Sequence, residues 1–308
     1  MTTTNERPPF VLALFGPTAG GKSGVAEALA ERVPAEIVSA DAMQAYRGLP
    51  ILTNQPDRPT RLVGVWPLEH EGSVGAYQAL AHAAVDEVLA AGATPVVAGG
   101  TGLYLRAALA DLAVPPAPTS GARARFESLY QRLGPEQAHK ALAERDPAAA
   151  AAVHPRDRRR VVRALELAEA GASLRPSPYR LWGDDARHPA ILFGLDVPRE
   201  LLAKRIELRA RAMFEGGVEE EVAAALRQPL SATAQKIMGL REVAELPRAE
   251  ALQALIARTR RYAAYQRKWM RRLPGLVSLR ADRPAGEIAD EILEVARHRQ
   301  RLPADRAG

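Results

Sequence analysis

Gly16-Pro17-Thr18-Ala19-Gly20-Gly21-Lys22-Ser23 decides the fold of this chain, because it joins an apolar run, Phe10–Phe15, to a helix-compatible run, Ser23–Arg32. A glycine-rich turn between a strand and a helix is typical of a phosphate-binding loop. Its glycines allow backbone N–H groups to surround an anion, and the helix N-terminus adds a favourable dipole. The Lys22 ammonium supplies a point charge, and the Ser23 hydroxyl suits a magnesium ion. The motif predicts a bound polyphosphate without defining the reaction.

The composition is that of an ordinary globular protein of 308 residues. No apolar run approaches the ~20 residues of a bilayer-spanning helix, and Met1–Pro9 lacks the apolar core of a signal peptide. The absence of cysteine excludes disulfides and thiolate metal sites, and it fits a cytoplasmic location. A net charge of +6 is weak evidence for a nucleic-acid partner, so the positions of the arginines matter more.

Strand and helix patterns alternate through the first 110 residues. The expected strands are Phe10–Phe15, Glu36–Ala40 and Thr94–Ala98, with a further short one at Leu62–Val65; the expected helices are Ser23–Arg32, Val74–Ala91 and Leu103–Ala110. This alternation predicts an α/β fold, a parallel sheet flanked by helices and similar to that of P-loop NTPases.

A proline-rich segment, Val114–Pro118, interrupts the alternation. From Arg123 to about Gly171 apolar residues recur only at helical spacing, and strand character returns at Ile191–Val197. We therefore expect an all-helical insertion domain, residues 114–188, within an α/β core of residues 1–113 and 189–308. Further core helices are expected at Arg199–Met213, Val218–Arg227, Ala249–Leu273 and Ala285–Gln300.

Two polar segments follow predicted strands, at the edge where parallel sheets bind ligands. Asp41 can bind magnesium, act as a base toward an acceptor, or cap a helix N-terminus, and its position alone leaves all three open. Gly99-Gly100-Thr101-Gly102 is either a plain turn or a second close approach to the same anion. Its place beside the first loop favours the shared anion.

Arginines cluster within His154–Arg163, where Asp157 is the single acidic residue. Helical spacing would put four of them on one face: Arg156, Arg159, Arg160 and Arg163. The scarcity of acids favours contacts with phosphates over a simple solvated face.

A second basic segment, Thr259–Leu273, carries three aromatic residues at helical spacing, Tyr262, Tyr265 and Trp269. We expect these aromatics to pack on the core. The basic face that remains is a candidate groove for a nucleic-acid backbone.

In chain order, these segments resemble the tRNA dimethylallyltransferase family over Val11–Arg272. The matching segments are Gly16–Ser23, Asp41–Gly48, Gly99–Tyr104, His154–Glu166, Met238–Glu242, Thr259–Ala263 and Trp269–Arg271. Four residues depart from the family pattern: Ala42 replaces a serine, Gln55 a lysine, Gly64 an acidic residue and Arg156 an asparagine.

The resemblance implies transfer of a dimethylallyl group from dimethylallyl diphosphate to N6 of adenosine 37 beside the tRNA anticodon, with release of diphosphate. It assigns the diphosphate to residues 16–23 and Arg209, with magnesium at Ser23. It assigns catalysis to Asp41 as proton acceptor, Thr101 between diphosphate and acceptor, Lys22, and Arg123 closing on the site. It assigns contacts with the anticodon stem-loop to Asp41, Ala42, Met43, Gln44, Thr101, Arg123, Arg159, Arg160, Arg163, Lys236, Gly239 and Arg241. Members of the family often act as monomers, and we expect a monomer here.

Three other functions fit parts of the sequence. An adenylate isopentenyltransferase would perform the same chemistry on a free nucleotide, but it needs no RNA-gripping insertion. A small-molecule P-loop kinase would transfer a phosphoryl group of ATP. An RNA-binding nucleotide switch would need no transfer chemistry, and neither of the last two accounts for the segments around Asp41 and Thr101.

Overall fold

The structure, a computed structural model, describes residues 10–112, 114, 119, 121–174 and 186–299. The chain divides into two compact units, Met1–Leu112 with Asp184–Gly308 and Ala113–Gly183. Within the described residues, no helix has the length and apolar character needed to cross a membrane.

A five-stranded parallel sheet forms the centre of the first unit. Its strands are β1 Val11–Phe15, β2 Ala35–Ser39, β3 Thr94–Gly99, β4 Ala190–Asp196 and β5 Val277–Arg280. They lie in the order β2-β3-β1-β4-β5. Every residue of the central strand β1 is buried, as its unbroken apolar run requires in a parallel sheet covered on both faces. The predicted α/β class is confirmed, and four predicted strands agree with the structure to within one residue at each end.

The helices follow the predicted periodicity closely. They are α1 Lys22–Arg32, α2 Pro50–Thr53, α3 Val74–Ala90, α4 Gly102–Leu109, α5 Ala122–Leu133, α6 Pro135–Arg145, α7 Pro147–Ala152, α8 Arg158–Glu169, α9 Arg199–Glu215, α10 Val218–Ala225, α11 Leu240–Glu245, α12 Arg248–Met270 and α13 Ala285–Arg299. The short strand expected at Leu62–Val65 is wrong. Leu62 has φ +66°, outside the strand region, and isolated bridges flank the segment instead.

Parallel strands bring three sequence motifs to one edge of the sheet. Residues 16–23 follow β1, Asp41 follows β2, and residues 100–102 follow β3. Because β1 and β2 both pair with β3, the three connections are neighbours. This edge is where open α/β sheets bind their ligands.

The second unit is helical, comprising α5 to α8 around a small apolar core. Phe126, Leu142 and Leu165 are among its buried residues. The Asp157 carboxylate caps α8 by accepting the Arg160 backbone N–H at 3.1 Å. The helix therefore begins at Arg158, and the expectation that Arg156 shares its arginine face is wrong.

Candidate active site

A pocket of about 340 Å³ opens at this edge of the sheet. The phosphate-binding loop forms one end of it. Residues after β2, at the end of β3, from α2, α9 and α12, and Met238 form the rest. Its lining residues are Thr18, Ala19, Gly20, Gly21, Lys22, Ser23, Gly24, Asp41, Met43, Gln44, Leu52, Thr53, Asn54, Ala98, Gly99, Arg205, Arg209, Met238, Tyr262 and Gln266.

The loop owes its shape to its own residues. Gly21 has φ +88° and serves as the N-cap of α1, and Ala19 has φ +59°. A Cβ on Gly20 would lie 2.7 Å from the Pro17 carbonyl oxygen, which accepts the Gly20 N–H at 3.0 Å. Glycine is needed here because the turn folds back on itself. The loop thus presents the start of α1 to the pocket, as its sequence predicts.

Lys22 bends back over the loop rather than reaching into solvent. Its Nζ donates to the carbonyl oxygens of Gly16 at 3.0 Å and Pro17 at 2.8 Å. Burial lowers the pKa of Lys22 to about 8; the Asp41 carboxylate opposes that shift, and Arg209 adds to it. The ammonium is therefore protonated at neutral pH but close to its titration range.

Two arginines of α9 add positive charge. Arg209 Nη2 donates to the Thr18 hydroxyl at 2.7 Å, and burial lowers its pKa against the opposing effect of Asp41. Arg205, one turn earlier, donates to the Ala281 carbonyl oxygen at 3.2 Å. Sequence reasoning identifies Arg209 and misses Arg205, although the i, i+4 spacing of the two residues is a signal.

Asp41 lines the pocket beside these cations. Its Oδ1 accepts the Met43 backbone N–H at 2.9 Å, two residues further along, in an Asx-type turn. The alternative of a helix N-cap is wrong, because the segment after Asp41 forms turns. The second carboxylate oxygen has no hydrogen-bond partner recorded among the described residues.

The Gln44 amide is held at both ends. Its Oε1 accepts from the Ser39 hydroxyl at 2.8 Å, and its Nε2 donates to the Asn54 carbonyl oxygen at 2.7 Å. Gln55 donates to the Tyr46 carbonyl oxygen at 2.7 Å, so the residue that replaces a family lysine fastens the same segment. These bonds fix the wall in which Gln44 lies.

Helix α2 forms part of that wall and is anchored from α10. The Glu221 carboxylate accepts the Ile51 and Leu52 N–H groups at 2.7 and 2.8 Å. Gly239 has φ +94°, and a Cβ there would lie 2.8 Å from Leu52 Cδ1. The predicted RNA-contacting Gly239 is therefore a close packing point behind the pocket.

Thr101 contacts Tyr262, and their hydroxyl oxygens lie 3.1 Å apart. Tyr262 in turn lines the pocket. Burial raises the pKa of Tyr262 to about 12, so this hydroxyl stays protonated. Sequence reasoning treats Tyr262 as a core aromatic and misses its hydroxyl contact. Thr101 itself is absent from the described pocket lining.

The glycines around Thr101 make room for neighbouring protein atoms. A Cβ on Gly99 would lie 2.2 Å from the Ala40 carbonyl oxygen. One on Gly100 would lie 2.2 Å from Gln266 Nε2, and one on Gly102 would lie 2.9 Å from Trp269 Cε3. The shared-anion interpretation of this turn is therefore not needed to explain its glycines.

Two residues of α12 differ from what its sequence pattern indicates. Tyr265 is 56% exposed and touches Trp269 edge-on at a centroid distance of 6.3 Å, so the prediction that it packs on the core is wrong. Gln266, which no sequence motif identifies, is 2% exposed and lies on the same helical face as Tyr262, four residues away.

The predicted RNA-contacting cations are exposed to different degrees. Arg159 and Arg160 are exposed on α8, whereas Arg163 forms an ion pair with the buried Glu166 at 2.9 Å. Lys236 is exposed in the 3₁₀ turn Ala234–Lys236, and Arg241 pairs with Glu245 at 2.8 Å.

Arg123 lies on α5 in the second unit, where it pairs with Glu127 at 3.3 Å. Its closure on the pocket stays a prediction, as does each role assigned to the cations of α8.

The fold and the pocket define a class: an α/β protein in which a P-loop-type loop and a carboxylate line one pocket at the edge of a parallel sheet. The family model described as IPP transferase matches residues 44–273, and this chain belongs to that family.

Related sequences align with this chain over most of its length. The tRNA dimethylallyltransferase of Streptomyces coelicolor is 39% identical over 279 residues, which span 86% of this chain and 88% of the relative. That of Thermobifida fusca is 39% identical over 292 residues, 89% and 91% of the two chains.

Solved structures share the architecture. A tRNA delta(2)-isopentenylpyrophosphate transferase of Staphylococcus epidermidis aligns with a TM-score of 0.68 at 26% identity, over 94% of this chain and 99% of that one. A eukaryotic dimethylallyltransferase acting on tRNA aligns with a TM-score of 0.75 over 97% and 82% of the chains; at 21% identity it bears on the fold alone.

Proposed function

We propose that this chain transfers a dimethylallyl group from dimethylallyl diphosphate to N6 of adenosine 37 in tRNA and releases diphosphate. The observation that carries the proposal is that the Asp41 carboxylate and the phosphate-binding loop line one pocket. A leaving diphosphate and a proton acceptor are the two groups that this alkyl transfer needs.

On the donor side, we assign the diphosphate to loop residues 16–23 and to Arg209. The charges of Lys22 and Arg209 and the N-terminus of α1 stabilise negative charge that grows as the C–O bond breaks. The Lys22 ammonium exchanges its two carbonyl partners for diphosphate oxygens.

On the acceptor side, the adenine leaves its stack so that N6 can reach the allylic carbon. A bond forms between N6 and that carbon, and the N6 proton passes to the Asp41 carboxylate. Met43 and the fixed amide of Gln44 form the wall against which the base rests. Thr101 acts through the Tyr262 hydroxyl that it contacts.

The residues present fit a magnesium ion held largely by its substrate. Ser23 lines the pocket and supplies a hydroxyl oxygen, a ligand type that magnesium prefers, while the Asp41 carboxylate serves as the proton acceptor. The described residues include no cluster of three or more His, Asp or Glu suited to a metal. When bound, the ion would neutralise charge on the diphosphate.

We assign tRNA binding to the exposed cations Arg159, Arg160 and Lys236, together with Arg123 and Arg241. Residues 114–188 would form the RNA-gripping insertion domain. We further propose that the protein is a cytoplasmic monomer.

One experiment separates the candidate functions. The protein is incubated with labelled dimethylallyl diphosphate and magnesium, and with either tRNA or AMP. Label in tRNA alone supports the proposal, and loss of that label in a transcript with guanosine at position 37 locates it. Label in AMP alone identifies an adenylate isopentenyltransferase. ATP consumption with a small acceptor, and no label in either nucleic-acid substrate, identifies a kinase.

A further inference from the structure

Gln266 joins two loops that are far apart in sequence. Its Oε1 accepts the Thr18 backbone N–H at 2.8 Å, and its Nε2 donates to the Gly100 carbonyl oxygen at 2.9 Å. Thr18 belongs to the phosphate-binding loop after β1, and Gly100 to the turn after β3. One amide on α12 therefore ties the donor loop to the turn that carries Thr101.

The Gln266 side chain has little conformational freedom between these two loops. Gln266 is 2% exposed, and Gly100 must lack a side chain because a Cβ there would lie 2.2 Å from the glutamine nitrogen. Both ends of the amide are bound to backbone groups, so the side chain is fixed in orientation as well as position.

The link continues to a cation of the donor site. The Thr18 hydroxyl accepts from Arg209 Nη2 at 2.7 Å, while the Thr18 N–H is held by Gln266. Four residues earlier on α12, the Tyr262 hydroxyl contacts Thr101. Helix α12 thus contacts both the phosphate-binding loop and the Thr101 turn through side chains on a single face.

We propose that Gln266 is a positioning residue that fixes the separation between the phosphate-binding loop and the Thr101 turn. This inference rests on the proposed function and deepens it. Alkyl transfer requires the leaving diphosphate and the incoming N6 to be aligned, and a shift of about 1 Å can cost roughly 10²-fold in rate. Gln266 acts through the two loops, because its amide is already bound to them.

Two variants of different chemistry test the inference. Gln266→Met removes both hydrogen bonds at similar volume, whereas Gln266→Glu keeps an acceptor for the Thr18 N–H and loses the donor to Gly100. Gln253→Met is the matched control, since Gln253 is exposed on the same helix. We expect kcat to fall roughly 10- to 100-fold in both Gln266 variants, with the Kd for tRNA within about threefold of wild type.

Two outcomes overturn the role. One is a kcat within about twofold of wild type in both variants at saturating substrates. The other is a parallel weakening of melting temperature, tRNA binding and diphosphate binding, which would make Gln266 a general structural residue. If Gln266→Met does not fold, the same comparison is read from Gln266→Glu.

A second measurement does not depend on catalysis. Hydrogen–deuterium exchange of the Thr18 amide, followed by NMR, should accelerate in Gln266→Met and stay slow in Gln266→Glu and Gln253→Met. Unchanged exchange in Gln266→Met overturns the tether even if the protein prenylates tRNA. Fast exchange in that variant supports the tether even if wild-type protein transfers no label, a result that would reject the proposed function alone.

Discussion

Two glycine-rich loops follow the adjacent strands β1 and β3, and their glycines have different causes. In residues 16–23, Gly20 and Gly21 satisfy the loop's own backbone, through a tight approach to Pro17 and a φ of +88°. In residues 99–102, Gly99 and Gly100 make room for Ala40 and Gln266, which belong to other elements. The first loop is determined locally and the second by its neighbours.

The difference separates the tasks of the two sides. The turn of the phosphate-binding loop follows from its own glycines and from the helix that it opens, although Gln266 and Arg209 also bind its Thr18. The acceptor side depends on α12, on α2 and on the segment after β2 being in place together. A substitution on the acceptor side should therefore disturb more of the pocket than a substitution of similar size in the phosphate-binding loop.

The largest effect is expected at Asp41, which lines the same pocket as the phosphate-binding loop. In Asp41→Asn the amide oxygen can still accept the Met43 N–H, but the side chain no longer accepts a proton. Turnover should fall by roughly 10²–10⁴-fold in a single-turnover assay, with tRNA affinity retained. Ala42→Ser, which restores the usual family residue, is the control. Loss of tRNA binding with Asp41→Asn would instead make Asp41 a structural residue.

The next largest effect tests the packing of the second loop. Gly100→Ala forces a methyl group against Gln266, and such overpacking costs about 1–3 kcal/mol in free energy of unfolding. Urea denaturation measures the loss. Gly24→Ala is the comparison, because its methyl group would meet Ala285 Cβ at an ordinary 3.6 Å. Equal stability of the two variants would show that the second loop yields as readily as a helix surface.

A smaller effect tests the charge of the donor loop. Lys22 has a pKa lowered to about 8 in the free protein, and a bound diphosphate favours its charged form. Affinity for the donor should therefore be constant well below pH 8, begin to fall as the pH approaches the pKa of Lys22, and fall about tenfold per pH unit above it. Calorimetric titration from about pH 6 to about pH 9.5 measures both the plateau and the decline. Lys22→Arg should remove the decline, and a decline that persists in that variant would assign it to another group.

The smallest effect concerns α8 in the second unit. Arg159→Gln with Arg160→Gln should reduce the slope of log affinity for tRNA against log salt by about 1.4–1.8, if each contacts one phosphate. Arg163 is left intact because its loss would strand the buried Glu166 carboxylate. Arg132→Gln with Lys140→Gln removes the same charge from exposed positions of that unit. Equal slopes in the two double variants would exclude the α8 cations from the interface.

The two loops also show which parts of the structure can be predicted from the sequence. Short-range sequence patterns predict the loop at 16–23, the strands β1 to β4 and nearly all long helices, because neighbouring residues determine these elements. The strand at Val277–Arg280 escapes prediction because it has only four residues at the sheet edge. Helix α2 escapes because its start is stabilised by Glu221, 170 residues from Ile51.

The candidate site divides in the same way. Lys22 and Asp41 are predicted from their motifs, and both line the pocket. Gln266 and the hydroxyl of Tyr262 are missed, because a helical periodicity assigns residues to a face without showing what lies opposite. Arg156 is predicted to lie on the arginine face of α8 because Asp157 is interpreted as a neutralising charge. In the structure Asp157 is the N-cap of that helix, so Arg156 precedes it.

The two carbonyl contacts of Lys22 should disfavour the binding of small monovalent anions at this loop. The Lys22 ammonium is already satisfied by the Gly16 and Pro17 carbonyl oxygens, so any anion that enters must compete with an internal ligand. Chloride offers one weak contact and does not compensate for both. A diphosphate presents several anionic oxygens to the lysine, the loop amides and the arginines at once. We therefore expect this loop to bind a diphosphate in preference to the monovalent salts that surround the protein.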